Sequence, residues 1–66
     1  MNMEKIEQLR AKFLKVYASL PEPEGYQIVA VIEGKTYSWN KAYAEISDKT
    51  ALGDKILEKM RLVGII

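Results

Sequence analysis

Residues 26–32, Tyr-Gln-Ile-Val-Ala-Val-Ile, constrain this chain most. The run is rich in β-branched residues and reads as a β-strand. Successive side chains of a strand project to opposite faces. Regular alternation sends Ile28, Ala30 and Ile32 one way and Val29 and Val31 the other. Both faces are then apolar, as in strands covered on both sides. A chain of 66 residues has little material for that cover. Domains of this size bury only about 60% of the surface their unfolded chains expose.

The usual reinforcements of a small domain are missing. With no Cys there is no disulfide and no thiolate ligand, and with no His there is no imidazole for zinc or for general-base work. Tight packing or a partner subunit remains.

The rest of the chain supplies helices. Ile6, Leu9, Phe13, Val16, Tyr17 and Leu20 recur at spacings of three and four, so a first helix is expected over about 3–20, capped by Asn2 and widened on one flank by Met3 and Leu14. Glu7 and Arg10 fall three apart on it and form a weak surface pair. Pro21 and Pro23 end it, and residues 21–25 form a stiff connector. A hairpin follows over about 26–38, turning at Glu33-Gly34-Lys35 as a three-residue loop with a bulge at Gly34. Ser38 caps a second helix over 39–47, whose Trp39, Ala42, Tyr43 and Ile46 form an inward stripe. Thr50 or Asp48 caps a third over 51–63, which buries Leu52, Ile56, Leu57, Met60 and Val63. Gly53 lies on that buried face, where it permits close approach of another backbone. Gly64 suits a left-handed C-cap that brings Ile65 back toward Met60. The expected fold class is α+β: one domain, residues 1–66, ordered helix, β-hairpin, helix, helix, with the helices packed on a two-stranded antiparallel hairpin.

Motifs for chemistry are sparse. Asp48 opens a segment with Gly at its sixth position, as in a calcium loop, but Leu52 and Lys59 stand where oxygen ligands belong. The four glycines form no phosphate-binding cluster. Ser38 and Thr50 are accounted for as caps, and Glu22 and Glu24 lie on a proline loop that does not desolvate a carboxylate. No enzyme, cofactor or metal is expected. The formal net charge of +1 argues against a nucleic-acid footprint, and no apolar run is long enough for a membrane span. Residues 1–20 mix charge and hydrophobe, unlike a signal peptide, and a Cys-free chain fits the cytoplasm.

Two functions are therefore weighed. The favoured one is a non-catalytic protein-interaction module, a homodimer or a binder of another protein. Its candidate interface is Val29 and Val31 with the tail residues Val63, Ile65 and Ile66. The alternative is a small single-stranded nucleic-acid-binding protein using Lys35, Tyr37, Trp39 and Lys41, where aromatics stack on bases and lysines meet phosphates. The second and third helices also invite a helix-turn-helix reading, against which the joint between them lacks a turn glycine.

Overall fold

A computed structural model of the chain describes residues 3–66, with side-chain detail from residue 5. The Asn2 cap and the Met3 flank of the first stripe lie outside that description. The order is helix, two-stranded antiparallel hairpin, helix, helix. α1 spans Met3–Ala18, β1 Ile28–Ile32, β2 Lys35–Ser38, α2 Trp39–Ser47 and α3 Ala51–Leu62.

α1 stops two residues before its expected end. Ser19 N–H and Leu20 N–H donate to the carbonyls of Val16 and Tyr17, three residues back, which tightens the last turn as Pro21 approaches. The connector is not irregular. Glu22–Tyr26 is a 3₁₀ helix with Pro21 as its extended N-cap. Prolines suit such a start because the first N–H groups need no partner.

The hairpin departs from the expectation twice. Ile32 pairs directly with Lys35, so the loop is two residues, Glu33-Gly34. Both have positive φ, +51° and +80°, the signature of a type I′ turn. Glu33 holds a left-handed conformation that favours Gly, Asn or Asp. The second departure is an irregularity between Ile28 and Ala30, where β1 carries one residue more than β2. A bulge of this kind breaks the two-residue alternation. Val29 and Ala30 are consequently both buried, while Ile28 and Val31 are both exposed. The strand therefore has one sealed side and one open side.

The two helix starts follow the sequence reading. Ser38 Oγ accepts from Lys41 N–H at 3.2 Å. Thr50, not Asp48, caps α3 and accepts from Gly53 N–H at 2.9 Å. Asp48 is instead the C-cap of α2. After it Lys49 takes φ +58°, Lys49 N–H donates to Ile46 O and Thr50 N–H to Glu45 O. This is a Schellman ending with lysine where glycine is usual. The same motif closes α3, where Gly64 N–H reaches Arg61 O and Ile65 N–H reaches Met60 O.

The core is built from α1, β1, α2 and α3, with Tyr37 of β2 partly packed against it. Phe13, Ile46, Ile56, Leu57 and Met60 are fully enclosed, with Ile6, Leu9, Val29, Ala30, Trp39 and Ala42 around them. Val63, expected on the buried face of α3, lies past the end of the helix and is exposed. The radius of gyration is 10.8 Å, against about 11 Å for a compact domain of this length. The accessible surface is 4413 Å², close to the ~4200 Å² of a folded monomer of this mass. The chain thus closes its core by itself.

Candidate interaction surfaces

The corner between α2 and α3 is the most tightly built part of the molecule. A Cβ at Gly53 would lie 2.6 Å from the backbone oxygen of Glu45 and 3.0 Å from Ile46 Cα. Glycine is what lets the two helices touch. Thr50 Oγ1 donates to the Glu45 carboxylate at 2.7 Å. Arg10 reaches the same corner from α1. Its guanidinium is buried, donates from Nε to Ile46 O at 3.1 Å and pairs through Nη2 with Asp54 at 2.9 Å. Nη1 pairs with Glu7. A cation is thereby placed at the C-terminal end of α2, and its anion sits in the first turn of α3, both favourable to the helix dipoles. The Glu7–Arg10 pair expected from its spacing is one side of this junction; the reach of Arg10 to Ile46 and Asp54 was not expected.

An aromatic stack continues along the same face of α1, where Phe13 and Tyr17 follow Arg10 at i+3 and i+7. Phe13 lies 5.5 Å from Trp39 and 5.9 Å from Tyr17, and Tyr17 lies 4.5 Å from Tyr43, measured between ring centroids. Tyr17 donates its hydroxyl to Asn40 Oδ1 at 2.6 Å. Among the described residues no buried side-chain nitrogen or oxygen lacks a partner. No group of three or more potential metal ligands occurs among them. No helix there is long and apolar enough to cross a membrane.

Of the residues singled out for an interface, Val29 is only 7% exposed and belongs to the core, because the bulge turns it inward. Ile66 also packs partly on the core. Val31, Val63 and Ile65 remain open, and Ile28 and Tyr26 join Val31 near the hairpin. Ile28 was expected beside Ala30 and Ile32; a bulge leaves no mark in a run composed wholly of apolar residues. Of the residues singled out for nucleic acid, Trp39 is buried against Phe13 and offers no free face for a base. Tyr37 is half-buried, and Lys35 and Lys41 are exposed. The α2–α3 turn forms without its glycine, but Lys55, Lys59 and Arg61 on α3 are offset by Asp54 and Glu58, which leaves little positive charge to meet phosphates.

A second open surface runs along α3. Ile32, Asp54, Lys55, Glu58, Lys59 and Leu62 line a shallow open groove of about 370 Å³. Leu62 is 66% exposed and is the least covered large aliphatic side chain among the described residues. Arg61 donates to both carboxylate oxygens of Glu58, from Nε at 3.2 Å. That hydrogen bond holds the Glu58 carboxyl below its usual range and raises Arg61. Neither Lys55 nor Lys59 has an ion pair among the described residues.

No family model matches the chain, and no curated protein or solved structure shows significant similarity to it.

Proposed function

We propose that this chain is a small non-catalytic interaction module that associates with a second copy of itself. The observation that carries this reading is the division of its aliphatic residues. The core is sealed down to its last polar atom, yet Ile28, Val31, Leu62 and Val63 are each half or more exposed. They are grouped on the hairpin and at the end of α3. Scattered apolar residues are ordinary on a surface; grouped ones mark contact sites.

Size sets the strength. A standard interface covers about 800 Å² per partner, a large share of 4413 Å². Because the single chain already has the surface and radius of a folded monomer, association is reversible and is not a condition of folding.

Sedimentation equilibrium from about 10 μM to about 1 mM tests this. The expected result is a mass that rises reversibly from 7.5 kDa toward twice that value. A mass fixed at the single-chain value throughout would remove self-association.

A further inference from the structure

We propose that the groove along α3 takes a short extended segment of another protein, one that carries two carboxylates and, beside them, an apolar side chain. This goes beyond self-association and does not depend on it.

The charges around the groove are engaged unequally. Two carboxylates and two ammonium groups line it, from Asp54, Glu58, Lys55 and Lys59. Both anions are already held from inside the chain. Asp54 Oδ1 takes the buried Arg10 at 2.9 Å, and both oxygens of Glu58 are held by Arg61. Lys55 and Lys59 are exposed and have no ion pair among the described residues. The free charge at the groove is therefore positive although the four formal charges cancel. The two lysines stand at i and i+4, where like charges disfavour a helix, and an anionic partner relieves that repulsion.

The apolar part of the lining is Ile32 and Leu62. Leu62 follows Lys59 by three residues and Lys55 by seven, so all three share one side of α3. Along the helix axis the lysines are about 6 Å apart, and Leu62 lies about 4.5 Å beyond Lys59. Side chains on one face of an extended chain repeat about every 6.7 Å. A segment of the form acid-x-acid-x-apolar thus sets its carboxylates over Lys55 and Lys59 and its apolar side chain over Leu62. The charges select the partner and its direction, and the leucine supplies the contact. Two lysines are too few to track a phosphate backbone, and no aromatic side chain lines the groove to stack on bases. A fatty acid matches the charge but not the shape, since a groove this shallow leaves most of an acyl chain in water.

The probe is the peptide acetyl-Glu-Ala-Glu-Ala-Leu-amide, titrated into the isotope-enriched chain and followed by amide chemical shifts. The shifts of Ile32, Lys55, Lys59 and Leu62 should move together and saturate. Lys55→Gln with Lys59→Gln removes the free charge, and Leu62→Ser removes the apolar contact. All three positions are exposed, so neither variant disturbs the core. Each variant should need at least about tenfold more peptide for half-saturation. A peptide with Gln in place of both Glu residues should bind the parent chain as weakly. Equal binding of that Gln peptide, equal binding by the lysine variant, shifts confined to the hairpin, or no saturable shift would each overturn the proposal. Sodium octanoate moving these four amides where the peptide does not would also overturn it, with a small amphiphile as the occupant. Sedimentation of the same samples reads self-association separately, and a monomeric chain that binds the peptide at these residues supports the proposal.

Discussion

The strand β1 is wholly apolar and the helical corner, residues 44–54, is mostly polar, yet it is the strand that keeps an open apolar face. At the corner, three elements converge on a few backbone atoms: Gly53 against Glu45, Arg10 on Ile46 O, and Thr50 capping α3 while holding Glu45. Ile46, Ile56 and Leu57 are fully enclosed there. The hairpin has two strands and cover on one side. Its bulge pulls Val29 under that cover and leaves Ile28 and Val31 outside. The difference is one of available layers, since a hairpin cannot bury two faces against one set of helices. The fold settles this by sealing one face completely.

The sharpest way to break the corner is Gly53→Ala. Helix propensity alone would make it stabilising by about 1 kcal/mol. Contact with the Glu45 backbone, which cannot swing aside, should instead make it destabilising by about 2–3 kcal/mol. The sign of the change in urea midpoint decides between them.

Arg10→Lys comes next. A lysine keeps the charge but cannot hold Ile46 O and Asp54 together from one planar group. A loss of about 1–2 kcal/mol is expected in denaturant unfolding. An unchanged midpoint would mean the junction needs only a charge, not a fork.

The smallest effect belongs to the hairpin. Glu33→Asn suits the positive φ of a type I′ turn and should raise stability by about 0.5 kcal/mol. A loss on that change would contradict the two-residue loop.

Much of this was legible beforehand. Most of the α2 and α3 stripes, the Ser38 and Thr50 caps, the close approach at Gly53 and the ending at Gly64 rest on local rules, and local rules survive folding; Tyr43 and Val63, expected inward, are exposed. Three features were not legible. The bulge at Val29 depends on how β1 meets β2 and on which side is covered, and an all-apolar run hides it. The burial of Arg10 depends on α1 crossing the α2–α3 joint, a contact 36 residues away in sequence. The left-handed turn at Lys49 lacks the glycine that signals such turns, and is held by the two backbone bonds around it. For the candidate surfaces, the tail and Val31 were visible as surplus apolar residues. Leu62 could have been placed by its spacing from Lys55 and Glu58, since it shares their outward stripe.

The chain contains no cysteine, so a single Ala51→Cys variant carries a spin label at one defined place. Mixed with the unlabelled, isotope-enriched chain, it reports which residues of one copy approach α3 of the other. The expected result is intermolecular line broadening that grows with concentration and includes the exposed aliphatic residues Ile28, Val31, Leu62 or Val63. No broadening at any concentration would contradict self-association.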